Sequence, residues 1–154
     1  MKSKQAEKLI EQIDQAIKDI DSFQKVSDLE KSYLAKFLVV FICGIYEEVI
    51  ENIINERVDS YGHSEVSKFI KDTLFAQFRN PDIPVIKGLL GKFDDYWKTE
   101  ITNLPQSAQT AITNIVNDKN SLAHGNSINL TLEDVRQYYN DSMVVINKID
   151  DMLL

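Results

Sequence analysis

The stretch Leu34-Ala35-Lys36-Phe37-Leu38-Val39-Val40-Phe41-Ile42-Cys43-Gly44-Ile45-Tyr46-Glu47-Glu48-Val49 decides the fold. Leu34, Leu38, Phe41, Ile42, Ile45, Val49 and, just beyond, Ile53 recur at three- and four-residue steps, which places them on one broad helical face. Few positions before Glu47 are polar, and a helix this apolar belongs at the centre of a core. Upstream, Ser27-Asp28-Leu29-Glu30 has the Ser-x-x-Glu spacing in which hydroxyl and carboxylate satisfy each other's free backbone N–H groups at a helix start. The sequence therefore predicts a long central helix running from this cap to about Asp59.

Working outward, Leu9, Ile10, Ile13, Ile17, Ile20 and Phe23 predict a one-sided first helix over about residues 3–25. Downstream, Ser60-Tyr61-Gly62-His63 reads as a loop and a third helix covers about residues 65–78. Asn80-Pro81 and Pro84 then break the pattern, because proline cannot donate within a helix. Ile83, Ile86, Leu89, Leu90, Phe93 and Trp97 predict one short or broken helix, read as a helix with a kink, whose continuity Gly88 and Gly91 weaken. A helix from about Gln106 to Ala123 carries Ala108, Ala111, Ile112, Ile115, Val116 and Leu122, and Gly125 stands where a left-handed cap is wanted. Thr131-Leu132-Glu133-Asp134 caps a last helix bearing Val135, Tyr138, Tyr139, Ile146, Ile149 and Leu153. With no repeat and no alternating strand pattern, the expectation is an all-α, up-and-down bundle of five or six helices.

The length of 154 residues matches one ordinary domain, so residues 1–154 are expected to form a single unit. A net charge of -7 argues against sequence-blind attraction to phosphates, and any nucleic acid would have to be gripped locally. The only cysteine, Cys43, sits in an apolar run as a small buried hydrophobe, which sets aside disulfides and cysteine-cluster zinc. Met1-Lys2-Ser3-Lys4-Gln5 leads into an amphipathic pattern rather than the apolar core of a signal peptide, and no run of about 18 apolar residues occurs. A cytoplasmic protein without a membrane partner is expected.

Chemistry concentrates in Asn117-Asp118-Lys119-Asn120-Ser121-Leu122-Ala123-His124-Gly125. At about 100° per residue Lys119 falls within the stripe of Ile112, Ile115 and Leu122, so its charge must snorkel, pair or line a cleft between subunits. Asn120 and His124 are i,i+4 neighbours, whereas His124 points about 140° away from Lys119. Either the helix loosens at Ala123 or two chains contribute to one site. The partial negative charge of a helix C-terminus favours imidazolium, which suits His124 to proton exchange. Metal-binding His-x-x-x-His, phosphate-cradling Gly loops and Gly-x-Ser-x-Gly are all absent from the sequence, so other hydrolase classes lack support.

Lys119-Asn120-Ser121-Leu122-Ala123-His124-Gly125 resembles the motif of the HEPN family, Arg-Asn-x-x-Ala-His-Gly near the end of the penultimate helix, and matches it except at the first position. The Gly-x-x-Glu step at Gly44-Ile45-Tyr46-Glu47, the proline-flanked middle and the terminal helix are similar to the RiboL-PSP HEPN branch. The resemblance implies a homodimer in which both motifs face one cleft and cut RNA without metal or other cofactor, leaving a 2′,3′-cyclic phosphate. It implies His124 as the proton-transfer residue, Lys119 as phosphate stabiliser and Asn120 as a hydrogen-bonding helper, with Glu47, Ser121 and Gly125 in support. A toxin or phage-defence role follows by the same resemblance, with an antitoxin or defence-system protein as partner. Because lysine offers a point charge where arginine offers a planar fork, the alternative is an inactive HEPN domain that binds a nucleotide or scaffolds a partner. A helical interaction module with no nucleotide role is the third reading. Arg79 and Arg136 are the nearby candidates to replace the motif arginine.

Overall fold

The computed structural model describes residues 1–154, the side chain of Phe75 excepted. Seven helices are present, α1 (Lys4–Ser22), α2 (Asp28–Asp59), α3 (Ser64–Gln77), α4 (Ile83–Leu90), α5 (Asp95–Thr102), α6 (Gln106–Ala123) and α7 (Leu132–Leu153), with no strand among the described residues.

The starts follow local chemistry. At α2 the Ser27 hydroxyl accepts from the Glu30 N–H at 3.3 Å while the Glu30 carboxylate accepts from the Ser27 N–H at 2.7 Å. Thr131 and Asp134 form the same reciprocal pair at α7, and Ser3 caps α1 by accepting from the Ala6 N–H. Each such cap contributes about 1 kcal/mol against alanine. α1 stops at Ser22, short of the expected residue 25, because Phe23 is extended and Lys25 takes a left-handed backbone with φ +59°.

The expected count of five or six helices is corrected to seven. What the periodicity suggested as one kinked helix over residues 83–97 is two, α4 and α5. The chain turns at Gly91, whose N–H closes on the Lys87 carbonyl at 3.0 Å, and restarts where the Asp94 carboxylate accepts from the Tyr96 N–H at 2.9 Å. α4 ends at Gly91 in a right-handed conformation, φ -67°, and the Asp94 cap then starts α5, even though the apolar residues keep one rhythm.

α2 is the central element, packing against α1, α3, α6 and α7. Leu38, Ile42, Ile50, Ile53 and Tyr46 on α2 are completely or almost completely buried, as the unusually apolar sequence there predicts. Two buried polar links fix the long helices in register. The Tyr46 hydroxyl of α2 lies 2.7 Å from Ser142 Oγ of α7, and Tyr139 of α7 donates to Asp14 of α1 at 2.6 Å. At the chain start, the buried Asp150 carboxylate accepts from the Ser3 N–H at 2.9 Å and also from the Lys2 N–H. Among the described residues no helix is long and apolar enough to cross a membrane.

Candidate functional site

α6 runs antiphase to its own composition. Its Ala108, Ile112, Ile115 and Val116 are buried against the bundle, yet Lys119 continues that stripe and is only half-buried. A cation there needs a polar partner, since desolvating an unpaired ammonium is costly. The partner is Asn80, whose Oδ1 accepts from Lys119 Nζ at 2.6 Å, with Asn120 Oδ1 more distant at 3.5 Å. Within one chain Lys119 is paired.

Asn80 sits on the loop between α3 and α4 in the left-handed region, φ +52°, a conformation that asparagine tolerates better than most residues. Its N–H donates to Glu47 Oε1 on α2 at 2.8 Å. Glu47, Asn80 and Lys119 thus form a chain that ties α2, the loop and α6 together. Cys43 lies one turn before Glu47, and burial with the Glu47 charge raises its thiol to about 11, while Lys119 pulls the other way. The neighbouring Arg79 guanidinium donates to the Phe78 carbonyl at 2.6 Å and pairs with Glu51 at 3.4 Å. Burial raises the Glu51 carboxyl against the opposing pull of Arg79, and Glu47 and Glu48 add to the rise. Glu47 and Lys119 thus both lie close enough to Cys43 to act on its thiol, with opposite sign.

The far end of the motif is built differently. His124 is the C-cap of α6, φ -88° and ψ 7°, with its N–H on the Asn120 carbonyl at 3.1 Å. Gly125 turns left-handed at φ +75°, its N–H reaching the Leu122 carbonyl at 3.0 Å while the Asn126 N–H reaches the Ser121 carbonyl at 2.9 Å. These two bonds are a Schellman closure, so Ser121 and Gly125 enter through their backbones. The His124 imidazole is exposed and makes no hydrogen bond or ion pair among the described residues. Helical geometry separates it from Lys119 by about 7.5 Å along the axis and about 140° around it. Within one chain the structure joins Lys119 to Glu47 through Asn80, sets Asn120 against Lys119 alone and leaves His124 apart.

The chain matches the RiboL-PSP-HEPN family model over residues 2–154. It belongs to that family. HEPN domains are all-α, in agreement with the seven helices, and are often ribonucleases. No curated protein and no solved structure gave a significant match.

Asn80 is the residue that sequence reading missed in this HEPN chain. Asn80-Pro81 was legible only as a helix break, and the amide's role depends on a contact with a residue 39 positions away. Of the two arginines considered as replacements, Arg79 adjoins Asn80, whereas Arg136 is ion-paired with Asp21 of α1. Burial and the charge of Asp134 raise the Asp118 carboxyl, beside Lys119 in sequence.

Proposed function

We propose that this chain is a metal-independent endoribonuclease of a toxin or phage-defence system, acting as a homodimer with a composite Lys119 and His124 site. The observation that carries the reading is the construction of α6's end. An exposed imidazole with no hydrogen bond or ion pair among the described residues stands on a Schellman stop, while Lys119 is held by Asn80 on a different side of the same helix.

A 2′-hydroxyl attacking the adjacent phosphorus must lose its proton, and negative charge grows on the non-bridging oxygens. His124 takes up or returns the proton, Lys119 offsets the charge, and Asn120 donates a further hydrogen bond. The products are a 2′,3′-cyclic phosphate and a 5′-hydroxyl, with the P–O5′ bond broken as the P–O2′ bond forms. Since the two side chains diverge within one protomer, the cleft takes Lys119 from one copy and His124 from its partner. Exposed Tyr33, Phe37 and Val40 share one face of α2 and supply apolar area that a second copy would cover. The substrate is RNA, the protein acts in the cytoplasm, and an antitoxin or defence-system protein restrains or activates it. We further infer that residues 1–154 act as one unit.

A second reading has its own support. Lys119 is already engaged by Asn80, whose N–H is in turn held by Glu47, which favours an inactive domain that binds a nucleotide or scaffolds a partner. Incubating the purified protein with total RNA, with and without EDTA and beside His124→Ala, separates the two. Cleavage that survives EDTA and disappears with His124→Ala is expected. Intact RNA with the native protein transfers the lead to the inactive reading.

A further inference from the structure

Helices α3 and α4 part company after the loop that joins them. α3 packs on α2, α4 packs on α5 and α6, and neither packs on the other. The space between them is a groove of about 560 Å³, within the roughly 300–1,000 Å³ typical of small-molecule sites. Phe69, Leu74 and Phe78 contribute from the α3 side, Val85 and Leu89 from α4. Phe69 is 71% exposed, an unusual position for so large an apolar side chain.

The chain order gives the groove a polarity. Phe78 and Val85 flank the connecting loop, Phe69 lies more than two turns back along α3, and Lys92 stands just past the end of α4. From Val85 to Leu90 α4 rises about 7.5 Å, and Lys92 stands two residues past its end. Lys92 is the only charged residue of the lining among the described residues, and its ammonium has neither hydrogen bond nor ion pair there. Among the described residues Thr73 and Gln77 are the other polar side chains of the lining, which includes no carboxylate.

We propose that this groove binds an amphiphile made of an unbranched hydrocarbon chain with a terminal carboxylate. The chain lies between the α3 and α4 faces toward Phe78, and the carboxylate pairs with Lys92 at the mouth. Apolar walls supply affinity in proportion to the methylenes they cover, and the single unpaired cation selects the sign of the head group. An α4 wall of about two turns suits a single short chain better than a partner helix, which needs several turns of contact. The site is separate from Lys119 and His124 and does not depend on the nuclease reading.

The test uses Trp97, the chain's one tryptophan, whose ring centroid is 5.9 Å from that of the groove residue Phe93. Decanoate is titrated into the full chain while Trp97 fluorescence is followed, with octanoate, decanol and decylamine in parallel. One saturable site below the concentration at which decanoate aggregates is expected, with octanoate about tenfold weaker and decanol about fivefold weaker. Lys92→Glu should reverse the preference toward decylamine. Gly88→Leu should abolish binding with the fold intact, since a Cβ at Gly88 meets nothing within 4 Å and the added side chain fills the groove. Failure to saturate, binding that survives Gly88→Leu, or equal affinity for decanoate, decanol and decylamine would each overturn the proposal.

Discussion

Lys119 Nζ donates to Asn80 Oδ1 at 2.6 Å while the Asn80 N–H donates to Glu47 Oε1 at 2.8 Å, so a loop asparagine holds the motif cation from the side opposite its own helix. Asn80→Gly keeps the left-handed backbone, φ +52°, and removes only the amide. If Asn80 positions Lys119, cleavage should fall about tenfold, the effect of roughly 1.4 kcal/mol of lost transition-state stabilisation. Initial rates on a defined RNA, read beside thermal melts, check this; undiminished cleavage would remove Asn80 from the site.

Lys119→Arg introduces the arginine of the motif that Lys119–Gly125 resembles. A guanidinium meets two phosphate oxygens where the ammonium meets one, so cleavage should rise about tenfold. The gain should survive EDTA. Equal inertness of the arginine variant and the native protein would count against a working phosphate site.

His124→Ala should abolish cleavage and hardly change the melting temperature, because the imidazole is exposed and its residue's cap bond comes from the backbone. Gly125→Ala is the contrasting variant. It keeps every side chain of the proposed chemistry but forces a Cβ onto φ +75°, and should cost about 1 kcal/mol in chemical denaturation. A large stability loss from His124→Ala would mean that the histidine serves the cap.

Cys43 should resist iodoacetamide at pH 8 and react once denaturant unfolds the chain. Burial, reinforced by Glu47, holds its thiol at about 11, leaving almost no thiolate at that pH. The sign for stability follows from the same shift. The folded value lies above the unfolded one, so this group's contribution is complete below about pH 9 and is lost as pH rises toward 11. Native protein minus Cys43→Ala should show that decline, which separates it from the buried tyrosines Tyr46 and Tyr139, raised above their ordinary range chiefly by burial.

Phe37→Glu tests the homodimer. Phe37 is exposed and stacks on Phe41 at 5.7 Å, on the α2 face with Tyr33 and Val40. Light scattering at micromolar concentration should give a dimer for the native chain and a monomer for the variant, with helicity retained. A native monomer would remove the composite site.

Periodicity and caps are local properties, and the chain wrote them plainly. Ser27 with Glu30, Thr131 with Asp134, and Gly125 each act within a few residues, so the ends of α2, α6 and α7 were legible before any packing was known. The apolar circumference of Leu34–Val49 likewise required a central position for α2. Gly91 and Asp94 were harder to weigh, since the same apolar rhythm runs through both sides of the break and only hydrogen bonding made two helices of it. The motif residues Lys119 and His124 were visible as types and as diverging directions. What holds Lys119 was not, because the partner amide belongs to a loop 39 residues earlier and its carboxylate anchor to a third element. Spacing along a chain specifies which residues share a helical face, whereas contacts across such separations exist only after the core has chosen which faces meet.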